Sequence, residues 1–196
     1  MKLIADEWMT LDGVVQAPGY DGEDSDGGFR HGGWHMRHID DISTDWVTRT
    51  TVETSAFLFG RRTYEIFASF WPTAPEALAT LAEALNNRPK YVVSTTLTEP
   101  LAWQNSTVLH GDVVKAVTSL KQDDGGDIHV VGSSQLTRTL IENDLVDELR
   151  LFIEPVLVGG GKGIFPGGGT LRQLRLTGSQ VTTTGVIIAT YAMAGA

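Results

Sequence analysis

Small and hydroxyl residues follow three apolar segments of the sequence, where each predicted strand gives way to a helix or loop. In open α/β sheets, ligands bind outside the carboxyl ends of the strands, where helix N-termini present free N–H groups and partial positive charge. Arginine there forms charge-assisted hydrogen bonds with phosphate, and glycine lets the backbone approach a pyrophosphate. The pattern therefore predicts a site for a phosphate-rich ligand. Its predicted ligand-binding residues are Gly60, Arg61, Arg62, Thr63, Ser94, Thr95, Gly132, Ser133, Ser134 and Gln135.

The glycines also admit a simpler interpretation. Taken singly, Gly60 and Gly132 are as typical of a tight turn between a strand and a helix as of a binding site. The run from Gly159 to Gly163 looks like a phosphate-binding loop. However, no glycine stands five residues before Gly161, and Gly163 occupies the position where that motif needs serine or threonine. We interpret the run as a turn after a strand, near the predicted site.

A histidine group offers a different chemistry, because His31, His35 and His38 are spaced by four and three residues. That spacing can place imidazoles on one helical face and so hold a metal ion. Aspartates stand nearby in the sequence: Asp24, Asp26, Asp40 and Asp41. Against this alternative, His31 precedes two glycines and no H-E-x-x-H order is present. Solvated surface histidines are the favoured interpretation, and we assign no metal ligands.

Composition excludes several classes of function. The chain has 196 residues, 41% of them hydrophobic and 20% charged, which predicts a single globular domain over residues 1–196. Its net charge of −9 opposes binding to nucleic acid, which needs clustered Lys and Arg. No cysteine is present, and no apolar run approaches the roughly 20 residues of a membrane helix. With no signal-peptide pattern at the N-terminus, we expect a cytoplasmic protein that binds neither membrane nor nucleic acid.

The elements that must position the site alternate between strand and helix patterns. Strands are predicted up to about Trp8 and at 56–60, 90–94, 105–111, 127–134, 146–159, 171–176 and 182–193. Helices are predicted at 34–55, 61–70, 75–87, 112–122 and 134–144, and a long Gly- and Asp-rich loop at 17–33. This order predicts an α/β fold with three layers: a mixed, mostly parallel central sheet, helices on both faces and an antiparallel C-terminal hairpin.

Five segments in order carry a resemblance to a known family. They are FLFGRRTYEIF, KYVVSTTL, IHVVGSSQL and LVDELRLFIEPVLVGGGKGIF, preceded by an N-terminal strand that runs into TLDG. Together they resemble the dihydrofolate reductase-like superfamily, and more closely the bacterial RibD C-terminal domain family, the reductase domain of riboflavin biosynthesis. The resemblance implies the superfamily's fold and NADPH as the cofactor.

The same resemblance implies roles for particular residues. Gly60, Arg61, Thr63 and Tyr64 match the segment that holds the NADPH phosphates. Ser94 and Thr95 match the strand end on the adenosine ribose side, and Val131, Gly132 and Ser133 match the turn around the pyrophosphate. Two departures concern the substrate. The riboflavin reductases carry a glutamate where this chain has Val131, and the pterin-binding acid of dihydrofolate reductases has no unique match among Asp40, Asp41 and Asp45.

We therefore predict an NADPH-dependent reductase that delivers hydride to an imine-like or carbonyl carbon of a small pterin- or aminopyrimidine-like heterocycle. Asp12, with Asp41 or Asp45, is the candidate for anchoring ring nitrogens, and Glu154 is a second anchor. Asp12 is equally typical of an Asp-Gly turn. Trp8 and Trp34 flank the long loop and are predicted to stack on the substrate.

The sequence is also compatible with two alternative functions, and it favours one mode of assembly. A protein of the same fold can bind a dinucleotide without turnover, and the histidine group at 31–38 can bind a metal. The apolar C-terminal strand pair would be prone to aggregation if its edge stayed open, so we expect it to pair within the sheet or across a homodimer.

Overall fold

The computed structural model describes residues 1–165 and 169–193, which contain one eight-stranded sheet. The strands are β1 (Leu3–Thr10), β2 (Ala56–Gly60), β3 (Lys90–Val93), β4 (Ser106–Leu109), β5 (Ile128–Val131), β6 (Glu148–Glu154), β7 (Leu174–Val181) and β8 (Ile187–Met193). Their order across the sheet is β4-β3-β2-β5-β1-β6-β8-β7. Neighbours from β4 to β6 pair in parallel, whereas β8 is antiparallel to both β6 and β7. The predicted fold class is confirmed.

Helices cover both faces of the sheet. They are α1 (Asp41–Glu53), α2 (Arg61–Phe70), α3 (Ala79–Asn87), α4 (Val113–Gln122) and α5 (Ser134–Glu142). Alternation along β2 shows how the layers form, because successive strand side chains point to opposite faces. Leu58 packs in one cluster with Leu140 of α5, whereas Phe59 packs in another with Tyr64 of α2 and Leu85 of α3. The carboxyl ends of the parallel strands therefore lie between two helical layers.

A third cluster fixes α1 against the far side of β1 and β6. Phe152 of β6 is fully buried, stacks on Trp8 of β1 at 4.9 Å between ring centroids, and meets Trp46 of α1 edge-on at 4.9 Å. Aromatic pairs at this separation add about 0.5–1.5 kcal/mol beyond the area that they bury. This cluster positions β1 and β6 beside the long loop.

Several predicted boundaries differ from the structure: the strands predicted at 127–134, 146–159 and 182–193 and the helix predicted at 75–87 are shorter. The start of the first helix differs for a local reason. The first helix begins at Asp41 rather than Trp34, because Asp40 and Ser43 form a reciprocal capping box in which the Ser43 N–H donates to Asp40 Oδ1 (2.9 Å). A short 3₁₀ turn, His35–Arg37, occupies the earlier positions. The strand predicted at 171–176 begins at Leu174 and continues to Val181.

Candidate functional site

A cleft of about 900 Å³ crosses the carboxyl ends of β3, β2, β5 and β1. The structure brings every predicted ligand-binding residue of the three strand ends to its wall. These are Gly60, Arg61, Arg62, Thr63, Ser94, Thr95, Gly132, Ser133, Ser134 and Gln135. Gly161, Lys162 and Gly163 also line the cleft, so the glycine run lies beside the site.

Ser133 links the ends of β2 and β5 at the centre of this cleft. Its backbone is left-handed (φ 69°, ψ 60°), and Gly132 before it also has a positive φ of 59°. Ser133 Oγ accepts a hydrogen bond from the Gly60 N–H (2.8 Å) and donates one to Thr63 Oγ1 (2.7 Å). Consecutive left-handed residues turn the chain sharply from β5 into α5, so the start of α5 lies next to the start of α2.

The N-termini of α2 and α5 both lack a side-chain cap. Gly60 precedes α2 and has no side chain, and Ser133 precedes α5 but makes no capping hydrogen bond. The first N–H groups of a helix carry partial positive charge and have no partner within the helix. Residues of both first turns line the cleft. Two adjacent helix starts of this kind fit the negative charge of a pyrophosphate.

The two adjacent arginines have different partners. Arg61 pairs only along its own helix, where Nη1 lies 2.8 Å from Glu65 Oε2 and both side chains are exposed. Arg62 instead contacts Asp24 Oδ1 at 3.3 Å and Asp26 Oδ2. The structure therefore separates a solvated arginine from one that holds the loop at residues 17–33, which we call the acidic loop.

A second cation fastens the acidic loop from the other side of the cleft. Lys162 Nζ lies 2.6 Å from Asp24 Oδ2 and 3.0 Å from Asp26 Oδ2. Hydrogen bonds from Arg62 and then Lys162 lower the pKa of Asp26 to about 2. The Gln16 side-chain amide also donates to the carbonyl oxygens of Asp24 and Asp26. The acidic loop thus covers part of the cleft through contacts that the sequence did not indicate.

Glu7 lines the end of the cleft at β1, and the sequence reading did not select it. Its side chain is buried and Oε1 has no hydrogen-bond partner. Burial raises the pKa of Glu7 to about 8, Thr137 opposes this with a hydrogen bond, and the charge of Asp6 adds to it. Burial therefore favours the protonated form of this carboxyl group at neutral pH.

Trp8 and Glu154 lie near each other on one face of β1 and β6. Trp8 lines the cleft, and its Nε1 donor is buried without a partner. Glu154 is fully buried, with Oε1 at 2.7 Å from His35 Nδ1 and Oε2 without a partner. His35 also meets Trp8 edge-on at 5.8 Å. An unpaired donor and an unpaired acceptor thus stand on neighbouring strands.

Apart from Trp8, the predicted substrate-binding residues, Glu154 included, are not among the residues that line the cleft. Asp12 accepts hydrogen bonds from Thr10 Oγ1 and from the Val158 and Gly159 N–H groups, which lower its pKa and join the turn after β1 to the chain after β6. Its Asp-Gly segment therefore serves the turn interpretation.

Three other candidates are also outside the cleft. Asp41 and Asp45 are exposed on α1. Trp34 is buried, and its Nε1 donates to the Gln16 carbonyl oxygen (2.8 Å), so it packs beneath the acidic loop instead of facing a ligand. A helix that begins at Asp41 leaves these aspartates facing solvent.

The histidines do not converge. His35 contacts Glu154, whereas His31 packs edge-on against Phe29 at 5.7 Å. Within residues 1–165 and 169–193, no group of three or more histidine or acidic side chains is arranged to hold a metal ion. In the same part of the chain, no helix combines the length and apolar character that crossing a bilayer requires. The cytoplasmic location stays a prediction from composition.

The parallel sheet, the strand order and the cleft define a protein with the dihydrofolate reductase-like fold. The family model described as the RibD C-terminal domain matches residues 1–188, and the chain belongs to that family. Its fold is the reductase-type fold related to enzymes of the riboflavin and folate pathways.

Individual relatives agree with this assignment. The uncharacterized protein YyaP of Bacillus subtilis (strain 168) is 27% identical over 192 residues, which cover 97% of this chain and 94% of YyaP. A riboflavin-biosynthesis-type protein from Shewanella sp. PV-4 is 20% identical with a TM-score of 0.75, covering 98% of this chain and 99% of the other. Dihydrofolate reductase from Enterococcus faecalis, complexed with NADP(H), is 15% identical with a TM-score of 0.63, covering 98% and 96%.

Proposed function

We propose that this protein is an NADPH-dependent reductase of a small planar heterocycle of the pterin or aminopyrimidine class. The observation that carries the proposal is the single cleft lined by three strand ends and by the uncapped starts of α2 and α5. Two adjacent helix N-termini favour a diphosphate over a single neutral ligand. The chemistry belongs to the cofactor, which supplies hydride, and the chain supplies binding, orientation and a proton.

The strand order supports a direction for the proposed cofactor across the cleft. Ser94 and Thr95 follow β3, Ser133 and Thr63 join β5 to β2, and Glu7 lies on β1. Adjacent strands are about 4.8 Å apart, so the three steps from β3 to β1 span about 14 Å. The adenosine ribose therefore lies at β3, the pyrophosphate at β2 and β5, and the nicotinamide at β1.

Arg61 is the residue that we propose binds the 2′-phosphate of NADPH. It is exposed at the start of α2 and pairs only with Glu65 of its own helix, an interaction worth about 0.3–0.5 kcal/mol that a phosphate displaces easily. Arg62 already neutralises Asp24 and Asp26 of the acidic loop. Of the two adjacent arginines, Arg61 thus has its charge available for the group that distinguishes NADPH from NADH.

The substrate anchors are Trp8 and Glu154. Trp8 Nε1 is an unpaired buried donor, and Glu154 Oε2 is an unpaired acceptor two positions further along the neighbouring strand. A ring that presents both an acceptor and an N–H, as lactams and amidines do, complements this pair. Leaving either group unpaired costs about 1–3 kcal/mol, so a complementary ring edge is bound selectively. His35 holds the other oxygen of Glu154 and fixes the carboxylate plane.

A paired arginine experiment tests the cofactor. Binding of NADPH and NADH is measured by calorimetry for the wild type, Arg61→Ala and the matched control Arg62→Ala. We expect Arg61→Ala to weaken NADPH about tenfold more than NADH, because one charge-assisted bond of about 1.4 kcal/mol is lost. Arg62→Ala is expected to change both nucleotides alike. Equal losses in Arg61→Ala contradict the 2′-phosphate assignment, and no binding of either nucleotide to the wild type overturns the reductase proposal.

Turnover separates the reductase from a protein that only binds the dinucleotide. Conversion of NADPH to NADP⁺ is followed by chromatographic separation of the two nucleotides, with a panel of pterins and aminopyrimidines as substrates. The expected result is turnover that Glu154→Gln reduces mainly through a raised KM, because a ring-edge hydrogen bond is weakened. Binding of NADPH with no turnover on any member favours the binding protein instead.

We also propose that the protein forms a homodimer through β7. This strand is one of the two edges of the described sheet, and all eight of its residues are exposed, including Leu174, Leu176 and Val181. Two copies of an edge strand can pair about a twofold axis and so satisfy their backbone groups. Sedimentation is expected to show a dimer that Leu174→Lys weakens, while Leu157→Lys, an exposed residue outside the strand, leaves it intact. A wild-type monomer contradicts this assembly.

A further inference from the structure

Glu7 is a buried acid that neither the fold nor the cofactor phosphates require. Its side chain is 1% exposed, lies at the β1 end of the cleft, and keeps Oε1 without a partner. A buried polar atom with no partner costs about 1–3 kcal/mol, so a structural role alone gives no reason for it. Its position at the cleft wall points to a ligand group.

The surroundings of Glu7 keep it protonated. On its own strand Asp6 is the nearest charge, but Asp6 is itself held by His129 Nδ1 at 2.6 Å. On β6 the residue opposite Glu7 is Leu151, which is apolar. From α5, Thr137 offers a hydroxyl.

None of the four cations that line the same cleft is paired with Glu7, and Arg61 pairs with Glu65 of its own helix. Arg138 Nη2 donates to the Gly163 carbonyl oxygen at 2.7 Å, and Lys162 is paired with Asp24 and Asp26. Arg62 holds the same two aspartates. No cation thus offsets the cost of ionising Glu7 in the cleft without a ligand, among the residues that the structure describes.

We propose that Glu7 is the acid that accompanies hydride transfer: it keeps its proton while the nicotinamide ring is neutral and releases it when the ring is cationic. This inference rests on the proposed function, because it uses the nicotinamide position at β1. A carboxylate beside a pyridinium cation is strongly favoured in a water-poor cleft. A carboxylate beside the neutral dihydropyridine has no such partner.

The charges and atoms balance in this step. Hydride reduction of a C=N or C=O bond places two electrons and one hydrogen on carbon and leaves the heteroatom in need of a proton. The O–H bond of Glu7 breaks, its electron pair stays on the carboxylate, and the proton goes to that heteroatom. The substrate is reduced, the cofactor is oxidised, and the resulting carboxylate faces the new positive charge, so the cleft gains no net charge. Solvent returns the proton after the oxidised cofactor leaves.

The test measures binding rather than turnover. Dissociation constants of NADPH and NADP⁺ are measured from pH 6 to pH 9 for the wild type and Glu7→Gln, with 2′-phospho-ADP-ribose as a fragment that lacks the nicotinamide. We expect the preference for NADP⁺ over NADPH to rise at least tenfold across this range in the wild type, which requires the pKa of Glu7 to differ by more than about one unit between the two complexes. Glu7→Gln is expected to show a flat ratio, and the fragment is expected to bind both proteins within twofold.

The possible results distinguish failure of the role of Glu7 from failure of the proposed function. A flat ratio in the wild type, or a slope that persists in Glu7→Gln, overturns the role of Glu7. Failure of all three ligands to bind the wild type overturns the proposed function instead. If Glu7→Gln does not fold, calorimetry of NADP⁺ binding to the wild type in buffers of different ionisation enthalpy decides the question. Release of close to one proton at pH 7 supports the inference, and release of none overturns it.

Discussion

Replacing Gly60 by alanine tests whether the ends of β2 and β5 must meet closely to form the phosphate site. A Cβ atom at this position would lie 3.0 Å from Ser133 Oγ and 3.1 Å from Ser133 Cβ. The backbone of Gly60 (φ −76°, ψ 160°) suits any residue, so the effect is steric and not conformational. Ser133 cannot turn aside without losing its hydrogen bonds to Gly60 and Thr63. The two strand ends must therefore move apart by a few tenths of an ångström.

The size of the effect follows from this geometry. Overpacking of a well-filled site costs about 1–3 kcal/mol, and weakening one hydrogen bond adds about 1 kcal/mol. We expect Gly60→Ala to lower the free energy of unfolding by about 2 kcal/mol. We expect NADPH affinity to fall about tenfold, because the amides of both helix starts move relative to the diphosphate. Urea unfolding and calorimetric titration measure the two quantities.

A double-mutant cycle decides the cause. Ser133 occupies a left-handed backbone region that glycine adopts without strain, so Ser133→Gly removes the obstructing atoms while keeping the turn. If crowding is the cause, the cost of Gly60→Ala falls to within about 0.5 kcal/mol of zero in the Ser133→Gly background. An equal cost in both backgrounds refutes the close contact as the reason for glycine at position 60.

Three further predictions concern the supports of the site. Lys90→Met is expected to lower the free energy of unfolding, measured in urea, by about 2 kcal/mol. The reason is that the buried Lys90 ammonium donates to three backbone carbonyls near the end of α3. An unchanged free energy of unfolding contradicts this capping role. Asp26 has its pKa lowered to about 2 by its two cationic partners, so its hold on the acidic loop is present above pH 4 and is lost as pH falls towards 2. The pepsin cleavage rate of the wild type relative to that of Asp26→Asn, a ratio that cancels the pH dependence of pepsin itself, is therefore expected to rise from pH 4 to pH 2, and a constant ratio contradicts this. Phe152→Ala, which removes the ring stacked on Trp8, is expected to cost about 3–5 kcal/mol, whereas Val181→Ala on the exposed edge changes stability by less than about 0.5 kcal/mol.

The end of the cleft at Gly60 and Gly132, where we propose that phosphates bind, was predictable as a cleft wall because its signals are local. A strand, a small residue and a helix start follow one another within a few positions at Gly60 and at Gly132, and parallel strands end at the same edge of a sheet. Helix α2 was predicted at Arg61–Phe70 and occurs there, because Gly60 and the helix period mark its start and Pro72 follows its end.

The β1 end of the cleft, where we propose that the substrate binds, was not predictable, because the strands that form it are distant from one another in the sequence. Glu7 becomes a cleft residue only when β1 is placed between β5 and β6, more than 100 residues away. Asp12 was open to two interpretations from its Asp-Gly signal, and the structure decides between them through amides at Val158 and Gly159. A strand pattern identifies the buried face of a strand but not which of its residues reaches a cleft.

The sequence contains a local signal for the start of α1, the capping pair Asp40 and Ser43, that outweighs the apolar spacing before it. Asp40 and Ser43 have the three-residue separation of a capping box, which marks a helix start at Asp41. The earlier apolar residues, Met36 and Ile39, are exposed and do not continue a buried face. Weighing the capping pair above the apolar spacing would have placed Asp41 and Asp45 on a solvated first turn and removed them as substrate anchors.

The measurement that tests the central claim most directly is calorimetric titration of the wild-type protein with NADPH, in competition with 2′-phospho-ADP-ribose. The proposal predicts one saturable site per chain, displaced by the fragment, with an affinity that Gly60→Ala reduces. No saturable binding of NADPH or NADH at millimolar concentration, or binding that neither the fragment nor Gly60→Ala affects, would contradict the claim that this cleft is a dinucleotide site.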